Sequence, residues 1–312
     1  MPQPKHFLEI PQLSREEILE TIQLAVTIKN DWKAGTTEYK PFRDKTLAMV
    51  FQKPSARTRV SFETGFFQLG GHALYLSPSD IGLGKRESVA DIARVLARYN
   101  DGIMARVFGH RDILGLAEYS SVPVINGLTD LLHPCQVMSD LLTIQEHKGR
   151  VEDLKVAFVG DGNNLANSWL NAASRLEFEL ALSIPEGYEP DREIFKKAKE
   201  ANPDVSIVEV PEQAVTDADV IYTDTWTSMG QEEEAEKRRR DFQGYTVDDE
   251  LVVQAKEDVI VMHCLPAHRG EEITDEVMDG PKSVVFDEAE NRMHMQKAIM
   301  VQLIAPETVP AV

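Results

Sequence analysis

At 312 residues the chain is long for one core, so two domains of about 150 residues each are expected. Apolar residues make up 42% and charged residues 27%, an ordinary globular balance, and no apolar run reaches the ~18–20 residues of a membrane span. The formal charge of −19 argues against nucleic acid or an anionic membrane as partner, and requires that any anionic substrate meet a local basic cluster.

Residues 1–14 carry neither the apolar stretch of a secretion signal nor the Arg-rich character of a transit peptide. The two cysteines, Cys135 and Cys264, are too few for a disulfide framework and suit a reducing compartment. A cytoplasmic location is expected.

Ser14 followed by Glu17 reads as a capping box that opens the first helix, with Ile18, Leu19, Ile22, Ala25 and Val26 at helical spacing. Residues 46–51, 102–107 and 122–126 then read as buried strands, with helices over 57–69, 89–99 and 113–119. A long helix runs from Gln136 to Lys148, and Gly149 is placed to stop it. The second half repeats the scheme, with strands over 154–159, 179–184, 205–210, 220–223, 259–263 and 283–286. A last helix covers about 290–304. Such alternation predicts an α/β protein with two doubly wound parallel-sheet domains, residues 1–148 and 149–312. In these sheets ligands sit beyond the carboxyl ends of the strands, so the residues that follow each strand carry the chemistry.

After the first strand stands Ser55-Ala56-Arg57-Thr58-Arg59, running directly into a helix. Open N–H groups at a helix start, two hydroxyls and two guanidiniums make an anion site; the plain alternative is a capped helix with solvated arginines. Arg106 closes a later strand. His133 and Gln136 bracket Pro134 at a helix entrance, where the histidine is either a hydrogen-bonded structural residue or a catalytic one.

In the second half Gly160-Asp161-Gly162-Asn163-Asn164 follows a strand, but Leu165 stands where a dinucleotide fingerprint wants glycine. A nicotinamide-dependent dehydrogenase is therefore a poor reading, and Asn163, Asn164 and Asn167 offer amides suited to an amino acid. Asp224 follows the strand that ends at Thr223 and could hold a substrate ammonium. The run 232–240 shows i,i+4 spacings between Glu233 and Lys237, Glu234 and Arg238, and Glu236 and Arg240, and reads as a solvated helical face. Cys264 after the apolar strand is open to three readings: a nucleophile, a buried thiol, or a thiolate tuning a neighbouring amine. The histidines and cysteines show no metal-ligand spacing, so no metal is expected.

Together these segments resemble the aspartate/ornithine carbamoyltransferase family, over nearly the full chain. Ser55 to Arg59 is similar to its phosphate loop, and His133 to Gln136 to its His-Pro-x-Gln motif. Asp224 to Gly230, with Ser228-Met229-Gly230, and His263-Cys264-Leu265-Pro266 look like the ornithine branch. The resemblance implies two α/β domains around a shared cleft, a carbamoyl phosphate-binding first domain on which the C-terminal helix packs back, and an ornithine-binding second domain. It implies homotrimers or multiples of three, transfer of the carbamoyl group from carbamoyl phosphate to L-ornithine, and a place in arginine biosynthesis or, since the same reaction runs in both, in arginine degradation.

By the same resemblance Ser55, Ala56, Arg57, Thr58 and Arg59 bind the donor's phosphate, Arg106 and His133 its carbonyl oxygen, and Gln136 its amide. Arg292 closes the donor site. Cys264 and Leu265 lie beside the donor near the attacking amine, with Arg106, His133 and Cys264 as the catalytic set. Asn164, Asp224, Ser228 and Met229 hold the amino-acid end of ornithine. Two departures stand out. Ala56 replaces the usual Thr, and Gly82 stands where many ornithine enzymes carry a Gln that reaches the neighbouring subunit, with Lys85 and Arg86 as nearby cations. No cofactor is implied. A carbamoyltransferase for putrescine or an N-acylated ornithine is the alternative. A non-catalytic amino-acid-binding protein leaves the Ser55–Arg59 cluster unexplained.

Overall fold

Parallel strands covered on both faces are built from near-continuous apolar runs, because neither side meets water. Thr46–Phe51 (β1), Gly102–Arg106 (β3) and Val124–Leu128 (β4) are such runs, buried at nearly every residue. His72–Leu76 (β2) is only half-buried and lies at the sheet edge. The computed structural model describes residues 5–84, 86–228 and 232–309. In it the chain divides into two units, one running through Leu142 and resuming at Asn291, the other spanning Thr143–Glu290.

The first unit carries a parallel sheet in the order β2-β1-β3-β4, with Leu47 opposite Gly102 and Thr46 opposite His72. Helices Ala56–Gln68, Val89–Tyr99 and His110–Tyr119 connect the strands. The chain order reverses between β1 and β3, so the crevice for a ligand opens beyond the ends of those two strands. Ser55 to Arg59 lies just beyond β1 and Arg106 closes β3, both singled out above.

The second unit carries five parallel strands: Lys155–Val159 (β5), Glu179–Ser183 (β6), Val205–Val208 (β7), Val220–Thr223 (β8) and Ile260–His263 (β9). Their order is β7-β6-β5-β8-β9, which puts the reversal between β5 and β8. Residues 160–164 and Asp224 follow those two strands. One face of the sheet packs Val159, Ile221 and Val261 against Val277 and Val285. On the other, Tyr222 lies near Phe158 at 5.9 Å and Trp169 at 5.5 Å. Among the described residues no helix is long and apolar enough to cross a membrane.

Ser14 and Glu17 form the reciprocal capping box, at 3.2 and 2.8 Å. Gly149 follows the helix Pro134–Lys148 with φ 72°, a left-handed stop. Three expectations are corrected. β2 is absent from the sequence reading. The strand expected over 283–286 is a single bridge, Ser283 to Val261, because the last helix starts at Val285 and runs Val285–Ile304 rather than from 290. β4 sits two residues later than expected and takes in Asn126 and Gly127, whose turn chemistry is overridden when Asn126 donates to the Leu8 carbonyl at 2.9 Å.

Candidate active site

At the end of β1 the chain turns into the helix Ala56–Gln68 through Ser55, whose Oγ accepts the Thr58 N–H at 3.3 Å. The first N–H groups of that helix, on Ala56 and Arg57, have no acceptor within it and lie at the positive end of its dipole. Ala56 thus still offers a backbone donor where its side chain offers none. Gln52 ties this turn to the segment after β3. Its N–H donates to the Arg106 carbonyl at 2.8 Å, and its Oε1 accepts the Phe108 N–H at 2.8 Å.

Two buried guanidiniums converge on Thr58. Arg106 Nη1 donates to Thr58 Oγ1 at 3.4 Å, and Arg292 Nη2 donates to the same oxygen at 3.1 Å. The buried imidazole of His133 is held well below its ordinary pKa of 6.5, first by loss of solvent and then by Arg292, Arg106 and Arg57. It is therefore neutral at physiological pH. Gln136 Nε2 donates to Asp140 Oδ1 at 2.8 Å, which fixes the amide at the helix entrance. Three cations gathered around a neutral ring form a local positive pocket in a strongly acidic chain, suited to a compact anion.

Arg59 is directed elsewhere, to Glu63 at 3.1 Å and over the Tyr75 ring at 4.1 Å. Cys135 donates to the Asn126 carbonyl at 3.3 Å, and burial pushes its thiol up to about 12, so it is an inert core residue. Gly82 has φ 53°, where a side chain is strained, and Arg86 donates to the Asp80 carbonyl at 3.0 Å. Lys85 lies outside the described residues.

In the second unit Asn163 caps the helix Asn164–Ala173, its Oδ1 accepting the N–H groups of Leu165 and Ala166 at 2.9 and 3.3 Å. Its Nδ2 donates across to Asp224 Oδ2 at 2.8 Å. The other oxygen of the buried Asp224 accepts the Thr225 N–H at 2.8 Å and the Cys264 thiol at 3.0 Å. A carboxylate has about four acceptor positions, so three donors fix this one and leave capacity for an ammonium. Ser228 is half-buried on the same stretch, Asn164 opens the capped helix, and Met229 lies outside the described residues.

The turn that carries Cys264 is fastened from below. Leu265 has φ 57°, a left-handed conformation that costs a leucine roughly 1–2 kcal/mol. Its N–H donates to His263 Nδ1 at 2.9 Å, which leaves the ring proton on Nε2, facing Glu272 Oε1 at 3.0 Å. The His263 N–H donates to Glu288 Oε2 at 2.9 Å. Histidines and acids dispersed in sequence thus meet in space. Asp224, His263 and Cys264 offer ligand atoms within 4.8 Å of one another, as do His268, Glu271 and Glu272. Both ring nitrogens of His263 are engaged in the first set, and Glu271 pairs with Arg239 at 2.8 Å in the second. These are hydrogen-bond networks that position the turn.

Along the run 232–240 the expected solvated face holds at Glu233, Glu234, Glu236, Lys237, Arg239 and Arg240, and Arg238 is the exception. Glu234 and Arg238 do pair, at 3.4 Å, but Arg238 is only 6% exposed and turns inward to Asp161 at 2.9 Å. Lys237 pairs with Asp241 at 3.2 Å. The sequence reading missed Asp161, Arg238, Glu272 and Glu288 as supports of this half-site. For Arg238 the signal was hidden because i,i+4 spacing is equally that of surface pairs.

Comparison with known proteins matches residues 5–146 to the carbamoyl-phosphate binding domain of aspartate/ornithine carbamoyltransferases, and residues 152–303 to their Asp/Orn binding domain. The ornithine carbamoyltransferase of Syntrophus aciditrophicus is 55% identical over 301 residues, 96% of this chain and 99% of that one. The solved ornithine carbamoyltransferase of Pyrococcus furiosus superposes with TM-score 0.93 at 49% identity, covering 97% of this chain and 98% of that one. The anabolic ornithine carbamoyltransferase of Campylobacter jejuni gives 0.90 at 41% identity, over 96% and 98%.

Proposed function

The chain belongs to the aspartate/ornithine carbamoyltransferase family, and from that premise we propose that it transfers the carbamoyl group of carbamoyl phosphate to the side-chain amine of L-ornithine. The products are L-citrulline and phosphate. The observation that carries the choice of acceptor is the buried carboxylate of Asp224, held by Asn163, Thr225 and Cys264. Such a group attracts the α-ammonium of ornithine and repels the extra carboxylate of aspartate. N-acylated ornithine has no α-ammonium to offer it, and putrescine has no carboxylate for the neighbouring amides.

Donor binding falls to residues 1–148 and acceptor binding to 149–312, with the last helix, Val285–Ile304, assigned from Asn291 onward to the donor domain. Ser55, Ala56, Arg57, Thr58 and Arg59 take the phosphate, Arg106 and His133 the carbonyl oxygen, Gln136 the amide, and Arg292 closes the set. Arg59 would have to leave Glu63 for the phosphate, an exchange of one anion for another. Asn164, Asp224, Ser228 and Met229 take the amino-acid end, and Cys264 and Leu265 flank the attacking amine. The donor is already an activated acyl group, so orientation and charge neutralisation suffice and no cofactor is needed. The amine lone pair attacks the carbonyl carbon, the bond to the phosphate oxygen breaks, phosphate leaves, and the nitrogen gives up a proton. An amine of this kind has a pKa near ~10.4, so freeing it at pH 7 costs roughly 4–5 kcal/mol, a cost that nearby guanidiniums reduce by disfavouring the ammonium.

Exposed apolar side chains in the first unit, Val60 at 58%, Phe67 at 73% and Tyr99 at 75%, support self-association, which we assign to a homotrimer or a multiple of three. Two cysteines outside any disulfide support a reducing, cytoplasmic setting, and likeness to an anabolic relative supports a role in arginine biosynthesis. The roles are tested with Asp224→Asn. Loss of a buried charged hydrogen bond, about 1.5–3 kcal/mol, raises the ornithine KM roughly 10- to 100-fold. The carbamoyl phosphate KM stays nearly constant. An equal change in both contradicts the assignment.

A further inference from the structure

Asp224 and Trp226 leave β8 side by side, and each is tied to the loop after β5. Asn163 holds the first through its side-chain amide. The second is held by Arg238, whose Nη1 donates to the Trp226 carbonyl at 2.8 Å and to Asp161 Oδ2 at 2.9 Å. Residues 161 and 163 therefore fix 224 and 226, two anchors on one short loop. Around the guanidinium stand the Tyr188 ring at 4.9 Å and, on Nε, Glu234 at 3.4 Å. Phe242 packs on Trp226 at 5.6 Å and on Tyr188 at 4.7 Å.

We propose that Arg238 is a positioning residue for the acceptor: by clamping the Trp226 carbonyl to Asp161, it sets where Ser228 stands relative to Asp224. The proposal rests on the reading of Asp224 and Ser228 as ornithine ligands. A buried ion pair of this kind is a poor source of stability, because desolvating two charges offsets most of their attraction. Its use here is geometric. One planar guanidinium satisfies a carboxylate and a backbone carbonyl at once, which a lysine ammonium on a flexible stem does poorly.

The clamp also has a pH sense. Asp161 faces Arg238, Asp224 and Glu234, and its pKa is raised to about 6, chiefly by burial, with the two carboxylates adding to the rise and Arg238 opposing it. Below that pH Asp161 takes up a proton, the guanidinium keeps its charge, and the clamp loses its ionic half.

The test uses the full chain and compares Arg238→Lys and Asp161→Asn with Asp224→Asn as reference, reading both KM values and kcat between pH 5.5 and 8. The proposal expects Arg238→Lys to raise the ornithine KM about tenfold at pH 7.5 and to leave the carbamoyl phosphate KM within about threefold. It expects Asp161→Asn to raise the ornithine KM at pH 7.5 and to converge on the native enzyme at pH 5.5. Hydrogen exchange of the native chain over residues 226–228 and 233–238, corrected for intrinsic rates, needs no variant. Opening of this segment is expected to become easier at pH 5.5 than at 7.5. A uniform fall in kcat with both KM values unchanged, a KM ratio independent of pH, or identical opening at both pH values overturns the clamp. If those results occur while Asp224→Asn still raises the ornithine KM, the acceptor assignment stands alone. If Asp224→Asn is silent as well, that assignment fails first.

Discussion

His133 faces Arg57, Arg106 and Arg292, and it answers them by staying uncharged. A neutral imidazole can donate a hydrogen bond to a carbonyl oxygen without adding a fourth cation to the pocket. The consequence for stability follows by linkage. Above its ordinary pKa of 6.5 the ring is neutral in both folded and unfolded chains. As pH falls through that value, the unfolded chain binds a proton that the folded site refuses, so stability is lost. His133→Asn removes this contribution, and its melting temperature is expected to fall less steeply than the native one between pH 6.5 and 5. Parallel curves would mean that His133 is protonated in place. The basic cluster was legible in part because Ser55, Arg57 and Thr58 lie within four residues of one another, whereas Arg59, read with them, pairs with Glu63. Arg292 reaches Thr58 across a separation of 234 residues, and only the family resemblance brought it forward.

At the level of elements, function follows from what stands directly after a strand. Strands β1 and β8 and the helix Val89–Tyr99 were read with their observed limits, since their apolar patterns are unambiguous. β2 was missed because its burial alternates weakly, as an edge strand's does. Residues 283–286 were misread because a short apolar β-branched run fits a strand as well as a buried helix start. The glycine-rich turn after β5 illustrates the same limit. A Cβ on Gly162 would meet the Tyr188 carbonyl oxygen at 2.3 Å and the Pro190 nitrogen at 2.4 Å, so this glycine admits neighbouring backbone rather than a pyrophosphate. Gly162→Ala is expected to cost about 1–3 kcal/mol in unfolding free energy and to raise the ornithine KM more than the donor KM. Calorimetry with steady-state kinetics checks both. An unaltered ornithine KM would separate this turn from the acceptor site.

For the molecule as a whole, the contrast lies between a net charge of −19 and a pocket of three guanidiniums. In the function proposed above, the acidic surface adds long-range attraction for a cationic acceptor, whereas the anionic donor would rely on short-range neutralisation by Arg57, Arg106 and Arg292. In that function charge also sets the acceptor, because a buried carboxylate at Asp224 favours a cationic head. The account is tested most directly by mixing the purified chain with carbamoyl phosphate and, in separate reactions, L-ornithine, putrescine, N-acetylornithine and L-aspartate, and measuring the carbamoylated product of each. Ornithine is expected to give citrulline with kcat/KM about 100-fold or more above the others, the discrimination available to a buried polar site that a wrong substrate leaves unpaired. Comparable or better turnover of putrescine, N-acetylornithine or aspartate would contradict it.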